Sequence, residues 1–310
     1  MVLQEEVFHL AITGGTGFVG KTVIDLARTE KLAVNALARR PQANREGVTW
    51  VDGALDREDS LNSLMTDADA VLHIAGVVNA PHKAGFEAGN AAGTLTVVRA
   101  AQTAGVRRFI HVSSLAARQP ELSDYGWSKH CAEQIVMASG LDWTIIRPPA
   151  IYGPADTEMF DLFRIARRGL VLLPPEGRLS VVEVGDLARL LLACAQDRDI
   201  SIGALYEADD GVDDGWSHGA FGRAIGWAVG KRVTAIATPR PLLRLAARTD
   251  RLLRGKNAKL TSDRVNYFCH PDWVIDPLKR PPAPLWQPEV GTREGLKKTA
   301  KWYQENGWFR

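Results

Sequence analysis

Tyr125 and Lys129 stand four residues apart in Tyr125-Gly126-Trp127-Ser128-Lys129. On a helix that spacing puts both side chains on one face, about one turn apart. A free tyrosine has a pKa of ~10 and is a poor base near neutrality. Bringing it to ~7 takes about 4 kcal/mol of preferential stabilisation of the phenolate. A lysine ammonium ~4 Å away supplies about that much at an effective dielectric of ~20. Such a pair could take a proton from an alcohol or give one to a ketone. A hydroxyl from Ser113-Ser114 would hold the substrate oxygen, and either serine could serve. A lone Y-x-x-x-K is usually chance. Here it follows a strand-like segment, Arg108 to Val112, that ends in the two serines, and it opens an amphipathic helix running to Met137.

Proton movement of this kind accompanies hydride movement elsewhere, and the N-terminal segment offers a place for the carrier. Thr13-Gly14-Gly15-Thr16-Gly17-Phe18-Val19-Gly20 follows an apolar run, Val7 to Ile12, and precedes a helical apolar face formed by Val19, Val23, Ile24, Leu26 and Ala27. Strand, glycine turn and helix are the context that a dinucleotide fingerprint requires. Gly15, Gly17 and Gly20 fit G-x-G-x-x-G, and Gly14, Gly17 and Gly20 fit T-G-x-x-G-x-x-G. The first glycines allow a tight turn and close approach to a pyrophosphate; the last lets helix and strand pack, with the helix N-terminus toward the anion. The next strand, Ala33 to Ala38, ends on Arg39-Arg40. An acid there would bind the ribose 2′-hydroxyl of NAD, whereas arginine suits a 2′-phosphate. The expected cofactor is therefore NADP, with NADPH preferred and NAD the alternative.

The elements that must hold these groups alternate along the chain. Further strands are expected at Val48–Val51, Ala70–Ile74 and Arg108–Val112, with a helix from about Gly89 to Ala104. Alternating strands and helices indicate an α/β fold: a doubly wound parallel sheet covered on both faces. Ligands then lie beyond the carboxyl ends of the strands. The glycine turn, Arg39, Asp52, Ala75-Gly76 and Ser113-Ser114 all fall at such ends. Residues 1–150 are expected to form the dinucleotide-binding domain. Residues 151–310, more broken and rich in Pro, Trp and Arg, are expected to form the substrate-binding region, with about 180–196 returning to the first domain.

The chain resembles the extended or atypical branch of the short-chain dehydrogenase/reductases, which includes nucleotide-sugar epimerases and dehydratases and the 3β-hydroxysteroid dehydrogenase-like reductases. Thr13–Gly20, Ala75-Gly76, Asn90, Ser114, Tyr125, Lys129, Arg147-Pro148-Pro149-Ala150-Ile151-Tyr152-Gly153-Pro154 and Val184-Gly185-Asp186-Leu187-Ala188 carry the likeness, and Leu285-Trp286-Gln287-Pro288 extends it into the tail. The resemblance implies a catalytic set of Ser114, Tyr125 and Lys129 supported by Asn90. It implies cofactor contacts from Gly14, Gly15, Thr16, Gly17, Phe18, Val19, Gly20, Arg39, Arg40, Asp52, Leu55, Ala75, Gly76, Ser113, Lys129 and Pro148. Three departures stand out. Gly53-Ala54-Leu55 replaces the usual Gly-Asp-Leu, which leaves open whether Asp52 substitutes for that acid. The interval from Ser114 to Tyr125 is shorter than in sugar-nucleotide epimerases. The acidic run Asp209, Asp210, Asp213 and Asp214 matches no known sugar-nucleotide contact.

Composition narrows the partners. A net charge of +2 suggests no nucleic acid, and no apolar run is long enough for stable membrane insertion. The N-terminus lacks the apolar core of a signal peptide, and Cys131, Cys194 and Cys269 fit free thiols in a reducing cytoplasm. No Cys/His spacing suggests a metal. A homodimer is compatible with the sequence. His73, His82, His111 and His218 read as structural. Arg240, Arg244, Arg248, Arg251, Arg254, Lys256 and Lys259 interleave with leucines, as in a solvated helix face, an interfacial helix or a lid. Phe160, Phe163, Leu170, Leu172, Leu173, Trp216, Phe221 and Trp227 are expected to supply an apolar lid. The expected activity is NADP-dependent oxidoreduction of a small to medium, moderately apolar carbonyl or alcohol. The alternatives are a nucleotide-sugar epimerase or dehydratase with bound NAD, and a non-catalytic cofactor sensor or assembly protein.

Overall fold

The computed structural model describes residues 7–255 and 258–309; Lys256 lies outside them. Seven strands form one sheet: β1 (His9–Thr13), β2 (Ala33–Ala38), β3 (Val48–Asp52), β4 (Ala70–His73), β5 (Arg108–Val112), β6 (Asp142–Ile146) and a last strand, Ala204–Tyr206. Every pairing is parallel, and the order is Ala204–Tyr206, β6, β5, β4, β1, β2, β3. The order reverses at β1, where a doubly wound sheet opens its ligand crevice. β4 and β5 are buried along their whole length, which explains their apolar runs without alternation.

Helices cover both faces. On one side α1 (Phe18–Thr29) contributes Val23, Ile24 and Ala27 to a core shared with Leu187, Leu190 and Leu191 of the Val184–Gln196 helix. That helix comes from the second half of the chain yet packs beside α1 over the sheet. On the other side Leu61, Leu64, Val97, Val98, Ala101 and Val136 pack on Val71, Phe109 and Ile145. Among the described residues no helix is long and apolar enough to cross a membrane.

The second half has its own core. The Leu170–Leu173 and Thr234–Ala237 strands pair in parallel, and the His218–Ala228 and Thr292–Glu305 helices pack around them. Phe163, Leu173 and Phe221, expected on a lid, are buried in this core with Tyr303, and Phe160 and Trp216 pack against it. Leu172 and Trp227 instead lie at the surface. Two acids of the run are structural: Arg280 pairs with Asp209 at 3.1 Å, and the Trp216 indole N–H donates to Asp210 at 2.8 Å. The tail is fastened by the Trp286 indole, which donates to the Asp186 carbonyl at 2.9 Å. The Asp186 carboxylate accepts from the backbone N–H groups of Glu289 and Val290, each at 3.0 Å.

Candidate active site

The glycine turn is held where side chains cannot go. Gly14 has φ of 78°, and a Cβ on it would lie 2.6 Å from the Ala75 backbone nitrogen. A Cβ on Gly20 would lie 2.2 Å from the Gly14 carbonyl oxygen. These contacts press β1, the first turn of α1 and the segment after β4 together. Gly17 caps α1 and no side chain bonds the helix N-terminus, so its backbone N–H groups and dipole are available to an anion. Thr16 and Gly17 are exposed at the tip, and Phe18 and Val19 are half-buried behind it. This cradle fits the pyrophosphate of a dinucleotide.

A buried imidazole braces the crevice. His73 Nδ1 lies 2.7 Å from the Thr13 hydroxyl, and Nε2 lies 2.9 Å from the Thr94 hydroxyl. Burial, with the Lys129 ammonium nearby, lowers its pKa to about 3. A neutral ring has one donor and one acceptor nitrogen, which matches two hydroxyls. His111 stacks on it with ring centroids 5.3 Å apart. Burial pushes the His111 pKa down as well, and neither of its ring nitrogens has a partner among the described residues.

Tyr125 and Lys129 lie in the Asp124–Met137 helix, which starts where the Ser123 hydroxyl accepts from the Gly126 N–H at 2.9 Å. Both are buried. Lys129 Nζ donates to the Val112 carbonyl at 2.9 Å. A Cβ on Gly76 would come within 3.0 Å of that nitrogen, so glycine at 76 makes room for the ammonium. Burial lowers the lysine pKa to about 8, with Glu133 opposing the shift. The phenol of Tyr125 behaves otherwise than expected from the spacing alone. Burial pushes its pKa up, while the Ser114 hydroxyl and the Arg264 guanidinium work against that. Lys129 is fastened to Val112 and does not bring the phenol toward neutrality by itself. The tyrosine is therefore protonated at neutral pH, which is the form that gives a proton.

The two serines divide their roles. The Ser113 hydroxyl is buried and donates to Glu133 Oε1 at 2.5 Å. That O–H proton is committed to a carboxylate, which leaves the oxygen's lone pairs for any further partner. Ser114 is half-buried and faces the Tyr125 phenol, and its Oγ accepts from the Ala116 N–H at 3.2 Å. Asn90 sits in a π-helical turn, Glu87–Ala92. Its Oδ1 accepts from the Val77 N–H at 2.7 Å, and its Nδ2 donates to the Val77 carbonyl at 3.0 Å and to the Ser128 hydroxyl at 2.9 Å. Asn90 thus ties the segment after β4 to the helix of Tyr125. π-turns of this kind recur at functional sites.

Other expected cofactor residues ring the same strand ends. Arg39 and Arg40 follow β2, are exposed, and make no ion pair among the described residues. Asp52 ends β3 and lies 3.6 Å from Arg57, both largely in solvent. The Leu55 carbonyl accepts from the Thr96 hydroxyl at 2.5 Å, which holds that turn over the Gly93–Ala104 helix. Pro148 is buried, and its carbonyl accepts from the Leu115 N–H at 3.0 Å.

Sequence reasoning missed three side chains. Glu133 continues the four-residue spacing of Tyr125 and Lys129, a visible signal. It binds the Arg147 guanidinium through both oxygens, at 2.6 and 2.8 Å, and Arg147 reaches Glu207 at 3.5 Å. Arg264 and Tyr267 come from the Ser262–Phe268 helix and carry no local signal. The Tyr267 ring lies 5.9 Å from that of Tyr125, and Phe86 lies 6.1 Å away on another side. Val77, Ala80 and Trp273 complete an apolar surround. Arg264 pairs with Glu158, and its Nε is buried without a partner among the described residues.

Residues 14–198 match the NAD(P)H-binding family model. The chain is 33% identical over 309 residues to the ceramide reductase of Caulobacter vibrioides (strain NA1000 / CB15N), covering 97% of this chain and 96% of that protein. It is 26% identical over 237 residues to the UDP-glucose 4-epimerase of Vibrio cholerae, covering 66% of this chain and 71% of that one. Among solved structures, MoeE5 in complex with UDP-glucose and NAD aligns with a TM-score of 0.76 at 21% identity, over 96% of this chain and 99% of that chain, a likeness of fold. With this cradle, sheet order and whole-length similarity, the chain belongs to the extended branch of the short-chain dehydrogenase/reductases and is an NAD(P)-dependent oxidoreductase.

Proposed function

We propose that the protein is an NADPH-dependent ketoreductase that reduces a carbonyl group on an apolar substrate. The observation that carries this reading is the Tyr125 phenol, beside the Ser114 hydroxyl and set among Phe86, Tyr267, Trp273, Val77 and Ala80. Apolar walls with a few fixed polar groups are what an apolar carbonyl compound needs. Similarity along the whole chain to a ceramide reductase makes a long-chain lipid amide bearing a ketone the first substrate to try.

A bound reduced nicotinamide supplies the hydride that reaches the carbonyl carbon. Ser114 holds the carbonyl oxygen by its hydroxyl. Tyr125 gives its O–H proton to that oxygen, so the product is a secondary alcohol and the tyrosine is left as phenolate. The Ser114 hydroxyl and the Arg264 guanidinium favour the phenolate and counter its negative charge. The Lys129 ammonium, held by the Val112 carbonyl one turn along the helix, stays charged at neutral pH with a pKa of about 8. Arg39 and Arg40, exposed and without ion pairs among the described residues, are the cations assigned to the 2′-phosphate of NADPH.

Three of the cations that could meet a sugar diphosphate have partners within the chain. Arg164 pairs with Asp161 at 2.8 Å, Arg167 donates to the Phe309 carbonyl at 2.6 Å, and Arg178 donates to the Asp214 carbonyl at 2.7 Å. The test follows NADPH oxidation against long-chain, aryl and alicyclic ketones, alongside binding of nucleotide sugars. Turnover of an apolar ketone, reduced at least about a thousandfold in Tyr125→Phe with cofactor affinity intact, is the expected result. Tight nucleotide-sugar binding with no ketone turned over would replace this reading with an epimerase or dehydratase.

A further inference from the structure

The Arg240–Arg254 helix carries four of its five leucines on the side that faces away from the protein. Leu242, Leu245, Leu252 and Leu253 are 55%, 59%, 86% and 80% exposed, while Ala247 is buried. At ~100° per residue, three stripes follow one another around this helix. Leu243, Ala247 and Asp250 face the protein. Arg240, Arg244, Arg248 and Arg251 come next. The exposed leucines, with Ala246 and Thr249 between them, form the third stripe. Leu242, Leu245, Ala246, Thr249 and Leu253, with Asp250 at the edge, line a shallow groove. A helix that only packs on its own domain turns its apolar stripe inward. Here Leu243 and the small Ala247 meet the protein, and the other four leucines meet solvent.

Charge identifies the occupant. The helix holds five arginines against one acid, Asp250, and that acid is used within the chain. Its carboxylate pairs with Arg254 at 3.2 Å and accepts from the backbone N–H groups of Lys259 and Leu260 at 2.8 and 2.9 Å. A second copy docking through the same leucines would bring no free acid on this helix to the arginines. An anionic bilayer offers both complements at once: acyl chains for the leucines and phosphates for the arginines beside them. Leu172 and Ile236, partners across a strand pair that leads into the helix, add two more exposed apolar side chains.

We propose that the Arg240–Arg254 helix is an interfacial docking element that lies in the surface of an anionic bilayer. Its position bears on catalysis. It packs against the Ser262–Phe268 helix, where Asp263 accepts from the Asp124 N–H at 2.6 Å and Tyr267 flanks Tyr125. The docked helix and a wall of the Tyr125 surround therefore belong to one local unit, so docking would hold a bilayer-resident apolar substrate near the helix that borders Tyr125. The docking argument rests on exposure and charge, independently of the ketoreductase reading.

The test is co-sedimentation of the full chain with vesicles of phosphatidylcholine alone and of phosphatidylcholine mixed with phosphatidylglycerol, at low and high salt. The expected result is binding to the mixed vesicles that weakens with salt. Leu252→Gln/Leu253→Gln and Arg244→Gln/Arg248→Gln/Arg251→Gln should each lose about tenfold or more in vesicle affinity. Their NADPH affinity and melting temperature should stay at the parent values, which establishes that they are folded. Absence of binding by the parent, or leucine variants that bind as the parent does, would overturn the proposal. So would a parent dimer that the leucine variants turn into a monomer in light scattering without any vesicle binding, since the face would then join two copies. Vesicle binding is read without substrate, so failure of every ketone to turn over leaves this result standing.

Discussion

Glu133→Gln is the sharpest perturbation of the buried polar chain behind the catalytic helix. The native carboxylate is fully buried and takes three short hydrogen bonds, from Ser113 at 2.5 Å and from Arg147 at 2.6 and 2.8 Å. Glutamine keeps the shape and loses the charge. It also places an N–H₂ where one of these donors now points. Removing one member of a buried ion pair costs about 3–5 kcal/mol. Glu207 stays within 3.5 Å of Arg147 and retains part of the compensation, so the expected loss is about 3 kcal/mol. For a chain of this size that lowers the melting temperature by about 6 °C. A second effect follows at Lys129. Glu133 now opposes the burial that brings the lysine pKa to about 8. Without the carboxylate the ammonium should deprotonate at lower pH, and the alkaline fall in turnover should move toward neutrality. Calorimetry and a pH–rate profile on the same preparation measure both. A variant that melts within about a degree of the parent, with an unmoved alkaline limb, would refute the claim that this network supports the site.

Gly14→Ala should cost at least ~1–2 kcal/mol from its left-handed backbone alone. Because its Cβ would also press on Ala75, NADPH affinity measured by nicotinamide fluorescence should fall by more than about tenfold. Arg39→Ser/Arg40→Ser should remove most of an NADPH-over-NADH preference of at least about tenfold, or ~1.4 kcal/mol; equal affinities in the parent would assign these arginines to solvent. His73, held neutral by a pKa of about 3, gives the native state fewer bound protons than the unfolded chain below pH ~6.5, so its share of stability is present above that pH and falls as the pH drops. By pH ~4 that share has fallen by about 3 kcal/mol. The Asp156 carboxyl, pushed up to about 6 by burial, acts in the opposite sense, so the quantity to measure is a difference. Urea unfolding of His73→Gln should show a smaller loss between neutral pH and pH ~4 than the parent, and equal losses would show that the ring does not resist protonation.

The local parts of the site were legible in the sequence. Strand, glycine turn and helix report themselves over some twenty residues, and an i, i+4 pair on a helix needs no tertiary knowledge. The different settings of Ser113 and Ser114 were not legible, because Glu133 takes the Ser113 hydrogen bond from the facing helix. Nor were the surroundings of Tyr125, since Arg264 and Tyr267 arrive from more than a hundred residues downstream. The apolar residues Phe163, Leu173 and Phe221 were expected on a lid and lie in a second core. Side-chain type distinguishes apolar from polar, but it does not distinguish a core from a cavity wall. The acidic run supported no reading from sequence, because Arg280, which pairs with Asp209, lies some seventy residues downstream.

Glu207 also limits how the molecule can be cut and recombined. A graft ending at residue 198, where the match to the NAD(P)H-binding model stops, would lack both this carboxylate and the Ala204–Tyr206 strand. Arg147 would lose one of its two carboxylates, and β6 would become a bare sheet edge open to pairing with another chain. Glu207 also accepts from the Asp276 backbone N–H at 2.8 Å and faces Arg118 at 3.7 Å and Lys279 at 3.8 Å. A chimera that borrows this cofactor cradle must therefore carry the Ala204–Tyr206 strand with Glu207 and the 276–279 turn. The nucleotide-binding part is not a transferable cassette, and exchange of substrate specificity between relatives is better sought in the Ser262–Phe268 helix, whose side chains border Tyr125 without bracing the sheet.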